Sequence, residues 1–458
     1  MEKVNIYIRF GIIILILLLK SRVQSYAQNP IIQTKYTADP APMVYNDTVF
    51  LYTGHDEDDA MGFKMLNWLL YYSTDMVNWT EYGTVASLEN FAWVPHVNGA
   101  WAAQCVERNG KFYLYCPMPG GVGIGVLVAD TPYGPFKDPI GEPLIKNSNH
   151  DIDPTILIDD DGQTYMYWGN PKVYYVKLNE DMISYSGEIY QEPTTPENYQ
   201  EGPWVWKRKG HYYMAYASTC CPEGIGYAMS KSPTGPWEYK GMIMDASDKS
   251  RGNHPGIIEY KEKSYLFGHS YDLLKQTTSK FYERRSVHAD ELIYNPDGTI
   301  QNRHYWSVED PEQIEVINPF DRVEAETMAW SEGVKTRFET EWEGDFDWAR
   351  GKKIADRLFV TSINHGDYIL VKGVDFAKGA SSIEVSVSSI HGGQIEVRIG
   401  EIDGPLIATV EVNTSREAGI WKTLIAPAKS IEGVHDLYFV FKGEKDLFDF
   451  DWWKFNSK

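Results

Sequence analysis

The sequence predicts an all-β protein, with a five-bladed β-propeller followed by a β-sandwich of roughly jelly-roll type. Two observations indicate the propeller: a turn followed by a short aromatic and β-branched strand recurs five times, and helical periodicity is nearly absent between the copies. A third observation indicates the sandwich. Strands of alternating polarity such as SSIEVSVSS and GGQIEVRIG, separated by glycine and charged turns, fill the C-terminal third.

The recurring phrase begins at a turn and continues into a strand. Its copies are DTVFLYTG from Asp47, GKFYLYCP from Gly110, GQTYMYWG from Gly162, GHYYMAYA from Gly210 and KSYLFGHS from Lys263. The copies follow one another at intervals close to the length of a four-stranded propeller blade. A second phrase, in which a strand runs outward into a turn, trails several of them. We therefore predict a five-bladed propeller over residues 28–310.

Each copy is preceded, at nearly the same distance, by a residue that the first strand of its blade would carry. These residues are Asp39 in ADPAP, Gln104 in AAQC, Asp153 in IDPTI, Glu201 in EGPW and His254 in NHPGI. The first strand of every blade lines the central channel, so equivalent positions converge there. A single Asp-Pro is typical of a turn. Three carboxyl groups and a histidine at one phase indicate a catalytic or ion-binding site instead.

Three converging carboxyl groups suit the hydrolysis of an acetal. One protonates the leaving oxygen, a second activates water or attacks carbon, and a third can adjust the pKa of the acid. A neighbouring carboxylate and partial burial are expected to raise the pKa of that acid. Asp39 and Glu201 come from the first and fourth repeats, which are not adjacent. This separation favours a gap that admits water, and therefore an inverting reaction.

Several longer phrases resemble glycoside hydrolase family 43. They are ADPAP, IDPTILIDDDGQTYMYWG, EGPWVWKR, NHPG and ERRSVHADELIYNPDGTI, which occupy residues 30–302 in the family's order. The resemblance implies a five-bladed propeller with Asp39 as general base, Asp153 as pKa modulator and orienter, and Glu201 as general acid. His254 matches a position that often contacts a metal ion in the channel, usually calcium.

The resemblance also suggests residues that contact the substrate. Arg285 in ERRSV matches an arginine that would hold the base ionised, although Arg284 beside it leaves the register open by one residue. Trp93 and Trp101 resemble pocket-wall aromatics that stack on sugars, and core packing is the alternative for both. Gln104 is a further candidate contact. Directly before it, an alanine replaces the proline of the commoner family pattern, which leaves the exact pocket wall open.

Other phrases, namely YTGHDEDDA, YSTDMVNWTEYG and SPTGPWEYKG, resemble the branch that contains arabinoxylan arabinofuranohydrolases and related xylosidases. This resemblance implies an exo-acting, inverting enzyme that removes α-L-arabinofuranosyl side chains from arabinoxylan or a related hemicellulose. Plant cell-wall polysaccharide, including arabinan or xylo-oligosaccharides, is the expected partner. A β-xylosidase or bifunctional xylosidase/arabinofuranosidase is the nearest alternative. A non-catalytic glycan-binding protein is the alternative from another class.

The blade pattern ends in the acidic stretch VEDPEQIEVINPF, and we predict a linker at residues 311–321 and a second domain at 322–458. The phrases VEAETMAW, GDYILVKGVDF and FDFDWWKF resemble a family 6 carbohydrate-binding module. That resemblance implies a structural calcium held by Glu324, Glu326 and Asp451, with exposed acids as the alternative. Trp421 matches a sugar-stacking aromatic, and the further candidates are Trp330, Trp342 and Trp348.

The N-terminus predicts export. Lys3 and Arg9 precede an apolar run and the small-residue pattern Ser25-Tyr26-Ala27, which together predict a signal peptide over residues 1–27. We expect a secreted or periplasmic protein without a later membrane span. The net charge of -21 disfavours nucleic acid, whose phosphates would be repelled. We expect no organic cofactor, and we expect the protein to be a monomer.

The four cysteines leave alternatives open. Cys105 and Cys116 flank an apparent hairpin and could form a cross-strand bridge or remain as buried thiols. Cys220 and Cys221 are adjacent, and the spacing of the four resembles no zinc pattern. We assign no chemistry to these residues from the sequence.

Overall fold

The computed structural model describes residues 28–308, 310–343, 352–377, 379–389, 391–415 and 419–458. The expected signal peptide, residues 1–27, lies outside the described residues. Among the residues that are described, no helix is long and apolar enough to cross a bilayer.

The N-terminal domain consists of five antiparallel sheets, which we number as blades 1 to 5. The three short helices in its connections are Leu88–Asn90, Pro119–Gly121 and α1 (Asp272–Thr277). The strands of blades 1 to 5 are, in order, β1 (Tyr36–Tyr45), β2 (Thr48–Asp56), β3 (Asn67–Ser73) and β4 (Trp79–Ser87); β5 (Gln104–Arg108), β6 (Lys111–Met118) and β7 (Gly123–Ala129); β8 (Thr155–Ile158), β9 (Thr164–Trp168), β10 (Tyr174–Leu178) and β11 (Tyr185–Gln191); β12 (Tyr199–Arg208), β13 (His211–Ser218), β14 (Glu223–Ser230) and β15 (Glu238–Ser247); β16 (Gly256–Tyr260), β17 (Lys263–Ser270) and β18 (Ser286–Glu291).

The recurring phrase forms the second strand of every blade, namely β2, β6, β9, β13 and β17. In four blades both residues of the turn before that strand have positive φ, as a type I′ hairpin turn requires. The four pairs are Asn46-Asp47, Asn109-Gly110, Lys209-Gly210 and Lys261-Glu262. Such turns match the right-handed twist of the strands they join, and the first hairpin of these four blades is therefore set by local sequence.

The five blades form a closed ring. Their first strands, β1, β5, β8, β12 and β16, contact one another in sequence, and β16 contacts β1. The N-terminal segment strengthens this closure, because the backbone N–H groups of Ile31 and Thr37 donate to the carbonyls of Val287 and Arg285 in and beside β18. The prediction of a five-bladed propeller is confirmed.

The C-terminal domain is a β-sandwich, as predicted. Its strands are β19 (Val323–Glu324), β20 (Thr327–Met328), β21 (Trp330–Glu332), β22 (Lys335–Glu343), β23 (Lys352–Thr361), β24 (Tyr368–Asp375), β25 (Ala380–Ser388), β26 (Gly393–Ile399), β27 (Leu406–Val412), β28 (Trp421–Pro427), β29 (Val434–Lys442) and β30 (Asp449–Ser457). One sheet has the order β22-β23-β30-β25-β28 with β19 beside β30, and the other has the order β21-β24-β29-β26-β27. Aromatic side chains such as Phe439, Phe450 and Trp453 fill the space between the sheets.

The two domains are joined by backbone pairing and by a shared core. Strand β20 extends the sheet of blade 1, because Thr327 and Met328 pair with β4. Leu370 of the sandwich is buried in the same apolar cluster as Trp79 of the propeller. The predicted linker at residues 311–321 is held on both sides: Ile314 N–H donates to the Asp75 carbonyl, and Ile317 forms a parallel bridge with Val374.

The structure decides between the alternatives for the cysteines. Cys105 on β5 lies opposite Leu114 rather than Cys116, and both cysteines are buried free thiols. Cys220 and Cys221 form a disulfide between adjacent residues. This disulfide lies in the loop that joins β13 to β14.

Candidate active site

Local irregularities turn two aspartates into the channel. Asp39 lies at a register shift between Ala38 and Ala41 of β1, and a bulge of this kind re-aims a side chain. Asp39 has φ 51° and Asp153 has φ 59°, a left-handed conformation that few non-glycine residues adopt. Both precede a proline. Such strained positions persist when the surrounding structure holds them, and they concentrate at functional sites.

A glycine makes room for the histidine beside Glu201. The register of β12 shifts on both sides of Glu201, and Gly202 after it has φ 61°. A Cβ atom on Gly202 would lie 2.7 Å from Cδ2 of His254, closer than packing allows. The N–H of Gly202 donates to Asp153 Oδ2 at 3.2 Å. Gly202 therefore lets blades 3, 4 and 5 approach one another at the channel.

The structure brings the three predicted carboxyl groups of the channel together around the imidazole ring of His254. His254 Nδ1 lies 3.6 Å from Asp39 Oδ1. On the other side of the ring, Nε2 lies 3.6 Å from Asp153 Oδ2 and 3.9 Å from Glu201 Oε1. The ring therefore separates Asp39 from the other two carboxyl groups. We call Asp39, Asp153, Glu201 and His254 the channel cluster.

The charges of the channel cluster depend on one another. Burial alone would lower the pKa of His254, but the three carboxylates around it raise that pKa to about 10. Burial raises the pKa of Asp153 to about 7 and also raises the pKa of Asp39, although His254 acts against both shifts. Burial has the same tendency at Glu201, but the hydrogen bond and charge of His254 hold the pKa of Glu201 below its usual value.

These pKa shifts differ from what the sequence led us to expect, namely that a neighbouring carboxylate raises the pKa of the general acid, Glu201. The cationic His254 outweighs that effect at Glu201. In the absence of substrate, Asp153 and His254 hold protons more strongly than Glu201 does.

Arg285 is the arginine that reaches the channel cluster. Its Nη1 donates to Asp39 Oδ1 at 2.9 Å, and its Nε and Nη2 donate to the two oxygens of Asp56, each at 2.9 Å. Both partners are buried. Arg284 points elsewhere and donates to the Ala60 carbonyl at 2.8 Å. The register that the sequence left open is therefore resolved in favour of Arg285.

Three residues that the sequence did not suggest support the channel cluster. Asp56 at the end of β2 orients Arg285. The side-chain amide of Asn170, two residues after the end of β9, donates to Glu201 Oε2. His269 on β17 accepts the backbone N–H of Asp39 at its Nδ1, at 3.2 Å, while its Nε2 faces the Arg251 carbonyl at 3.0 Å.

These contacts identify the tautomer of His269. Its Nε2 carries the proton and donates to Arg251, which leaves Nδ1 free to accept from Asp39. Burial and the charge of Arg285 hold the pKa of His269 well below its usual value, so the ring stays neutral. Asp39 is thus fixed through its side chain by Arg285 and through its backbone by His269.

A family model described as glycosyl hydrolases family 43 matches residues 27–300, more than half of the chain. The chain belongs to glycosyl hydrolase family 43. A second model, described as carbohydrate binding module (family 6), matches residues 324–457, which form the sandwich. Membership of the family makes the protein a glycosidase.

Two relatives show the extent of the similarity. "Arabinoxylan arabinofuranohydrolase" of Bacillus subtilis (strain 168) is 32% identical, over 94% of this chain and 92% of the relative. "Xylosidase/arabinosidase" of Bacteroides ovatus is 29% identical, over 58% of this chain and 94% of the relative. A crystal structure of a family 43 arabinoxylan arabinofuranohydrolase from Bacillus subtilis, in complex with cellotetraose, superimposes with a TM-score of 0.81 at 30% identity, over 94% of this chain and 97% of that one.

The two tryptophans suggested for the pocket wall of this family 43 protein occupy different places. Trp101 packs edge-on against Phe63, with ring centroids 5.7 Å apart, and the Phe63 ring lies 5.1 Å from the guanidinium of Arg285. Trp93 donates from Nε1 to Asp138 Oδ2 at 2.8 Å and packs on Phe91. Trp101 therefore belongs with Phe63 to an apolar group at the Arg285 side of the site, and Trp93 joins the segment that precedes blade 2 to the segment that follows it.

Phe63, which the sequence did not suggest, lies in the loop between β2 and β3 and is 37% exposed. No strand pattern marks it, since its role depends on the loop folding back over Arg285. Gln104 is buried beneath the channel cluster, and its Oε1 accepts the backbone N–H of Ile156 at 2.5 Å. With Ala103 and the channel prolines it lines a cavity of about 20 Å³. The structure thus places Gln104 where it joins blade 2 to blade 3.

The residues suggested in the carbohydrate-binding module have other partners. Trp421 begins β28 and packs on Phe359, with ring centroids 5.0 Å apart, while the guanidinium of Arg357 lies 4.6 Å from its ring. Trp330 packs against the shared core of the two domains. The side chain of Trp342 and all of Trp348 lie outside the described residues.

The three carboxyl groups suggested for a structural calcium do not form a ligand group in the described part of the chain. Asp451 is paired with Arg357, and Glu324 with Arg322 at 2.7 Å. Glu326 is buried, and its Oε2 has no hydrogen-bond partner. Arginines thus pair with two of the three carboxyl groups, and the calcium that the resemblance implies for this donor set stays a prediction.

Proposed function

We propose that this glycosidase removes α-L-arabinofuranosyl side chains from arabinoxylan or a related hemicellulose, acts on terminal units, and inverts the anomeric configuration. The observation that carries the proposal is the position of His254, with Asp39 at one ring nitrogen and Asp153 and Glu201 at the other. A ring between two carboxyl groups favours the wider separation that an inverting reaction needs, because a water molecule must enter between base and sugar.

The proposal assigns a role to each carboxyl group. Asp39, held by Arg285, is the general base that activates water. Glu201, which is partly exposed at the channel mouth, is the general acid that protonates the leaving oxygen. Asp153 receives the N–H of Gly202 and lies beside Glu201, so it orients the acid; because its own pKa is raised while that of Glu201 is lowered, Asp153 holds the proton that Glu201 needs in order to act as the acid.

The nearest alternative is a β-xylosidase or an enzyme that releases both sugars. It is favoured by the similarity to the Bacteroides ovatus xylosidase/arabinosidase, which covers 58% of this chain. Arabinose release is preferred because the relative named for arabinoxylan matches propeller and sandwich together. A non-catalytic glycan-binding protein is disfavoured because the acidic groups and their supporting arginine are all in place.

The experiment is incubation with arabinoxylan, arabinan and xylo-oligosaccharides, followed by identification of the released sugar by chromatography. We expect arabinose from arabinoxylan, and no release by Glu201→Gln. Glu262→Gln, in an exposed hairpin turn far from the channel, is the matched control and should retain activity. Xylose as the main product would favour the alternative enzyme, and binding without any product would favour the glycan-binding protein.

A cation in the channel is a further part of the proposal. Asp153, Glu201 and His254 each offer one ligand atom within 4.8 Å of the others. Carboxylate oxygens are ligands that calcium prefers, and His254 can join them only as the neutral imidazole, so an ion bound there would displace its proton. An ion bound there would supply positive charge beside the acids. Dialysis against a chelator should then lower the melting temperature, and added calcium should restore it. An unchanged melting temperature would contradict the cation.

Export is also proposed, to the periplasm or the medium, where polysaccharide is reached. The Cys220–Cys221 disulfide accords with an oxidising compartment. Fractionation of producing cells would test this, and protein found only in the cytoplasm would contradict it.

A further inference from the structure

The loop between β13 and β14, residues 219–222, lies beside the strand that carries Glu201. Ser218 at the end of β13 pairs with Tyr199, and Glu201 pairs with Ala217. The backbone N–H of Thr219 donates to the Asn198 carbonyl at 3.0 Å. The loop therefore projects from the end of blade 4 at which Glu201 enters the channel, and its two exposed cysteines form the disulfide.

The disulfide covers a buried carboxyl group next to Glu201. The sulfur atoms of Cys220 and Cys221 both lie within 4.8 Å of a carboxylate oxygen of Glu223. Glu223 Oε2 accepts the N–H of Asn253 at 3.1 Å, which joins the loop to the segment that carries His254. Burial and the charge of Glu201 raise the pKa of Glu223 to about 7. The disulfide is thus connected to the channel cluster through Glu223.

The two sulfurs offer an apolar surface. In a disulfide both thiols are consumed, and the sulfurs no longer act as thiolate ligands for a metal ion. A disulfide between neighbours also fixes the loop backbone, so the surface is rigid. The Arg285 side of the site has its own apolar group, formed by Phe63 and Trp101. The disulfide instead lies in blade 4, in the loop beside the strand that carries Glu201.

We propose that the Cys220–Cys221 disulfide is a wall of the leaving-group subsite, where it packs against the apolar face of the main-chain sugar that carried the released unit. The inference rests on the proposed function. A general acid donates to the leaving oxygen, so the loop beside the acid faces the leaving group. An exposed, rigid and apolar surface at that position suits the C–H face of a pyranose ring.

The experiment compares two substrates that share the released sugar and differ in the leaving group. An arabinoxylo-oligosaccharide presents a xylose chain, whereas methyl α-L-arabinofuranoside presents a single carbon. For the double variant Cys220→Ser/Cys221→Ser, we expect KM for the oligosaccharide to rise at least about fivefold, as losing one buried contact does at other interfaces. The kcat/KM for the methyl glycoside should stay within about twofold of the wild type.

Reduction provides a second route that needs no substitution. A dithiol reagent transfers two electrons and two protons to the disulfide and becomes a cyclic disulfide itself. Thiol titration should show two further reactive thiols in the wild type. The same rise in KM should follow, and the double variant should not respond to the reagent. The buried Cys105 and Cys116 are present in both proteins and serve as the internal control.

Two results would overturn the inference. Equal losses on both substrates would show that the disulfide only supports the channel cluster, and unchanged kinetics on both would show that it contacts no leaving group. If the wild type releases arabinose from neither substrate, the proposed function itself is overturned, and this result is obtained before any variant is compared.

Discussion

Arg285 pairs with the carboxylate of Asp39 and fixes the position of that side chain. Its guanidinium contacts Asp39 with one nitrogen and Asp56 with two others. A lysine carries the same charge but cannot present that fork. For Arg285→Lys we expect kcat/KM on an arabinoxylo-oligosaccharide to fall about 100-fold, because Asp56 loses its bidentate partner and Asp39 loses its fixed position.

The neighbouring arginine provides the control for this prediction. Arg284 stacks on Tyr282 and donates to a carbonyl outside the channel cluster. Arg284→Lys should change kcat/KM by no more than about twofold. Equal losses in the two variants would contradict the assignment of Arg285.

His288 links the stability of the propeller to pH. It is buried beside Trp306 and is hydrogen-bonded to Ser270 at 2.7 Å. Burial lowers its pKa from 6.5 to about 3, with Asp272 acting against the shift. Between these values the unfolded chain binds the proton and the folded chain does not, so stability is lost as the pH falls from 6.5 toward 3.

The measurement is chemical denaturation of the wild type and His288→Gln at pH 7 and pH 5. From pH 7 to pH 5 the wild type should lose about 2 kcal/mol more of its unfolding free energy than the variant does. The comparison cancels the carboxyl groups common to both proteins. Parallel losses in the two proteins would show that His288 does not carry this dependence.

At the scale of strands, the repeat explains why much of the propeller could be predicted. The five copies of one phrase mark β2, β6, β9, β13 and β17, and the residues ahead of them enter one channel because the blades are equivalent. Asp56 and His269 could not be found in this way. They lie on the second strands of their blades, and their supporting role depends on which side chain across the channel reaches them. A strand pattern carries no such information.

The sandwich junction and the disulfide escaped prediction for other reasons. Strand β20 has two residues, too few for a period to be recognised, and its partner β4 lies far away in the sequence. The segment at 311–321 is acidic and contains prolines, which is typical of linkers, yet Gln313 and Ile314 bind to both domains. Two adjacent cysteines do not reveal from sequence whether they are bonded to each other.

In strand β12, the packing role of Gly202 can be tested separately from the effect of its backbone conformation. Gly202 and Gly210 both have positive φ, and only Gly202 has His254 against its missing Cβ. Each change to alanine should cost about 1 kcal/mol of stability through the backbone. Gly202→Ala should in addition displace His254 and lower kcat at least about 100-fold. Gly210→Ala, at a turn with open space around it, should leave kcat unchanged.

The readouts are kcat on the arabinoxylo-oligosaccharide and the melting temperature of each variant. If Gly202→Ala kept full activity with the same loss of stability as Gly210→Ala, the close packing of β12 on His254 would have no catalytic consequence.

At the scale of the whole molecule, the propeller and the sandwich are joined into one structural unit. They share the pairing of β20 with β4 and the apolar cluster that contains Leu370 and Trp79. For Leu370→Ala we expect a loss of about 2 to 5 kcal/mol, since a buried leucine is truncated. In calorimetry, this loss should lower the temperature of a single unfolding transition. Two separate transitions, with only the sandwich destabilised, would contradict a shared core.

The central claim is that Asp39 activates water on one side of the sugar while Glu201 protonates the leaving oxygen on the other. Proton NMR of arabinoxylan during the first minutes of reaction tests this directly, because it identifies the released sugar and its anomeric form together. Inversion at an α-linked unit predicts that β-L-arabinofuranose appears first and that the α-anomer follows as the sugar equilibrates. The α-anomer appearing first would contradict the claim.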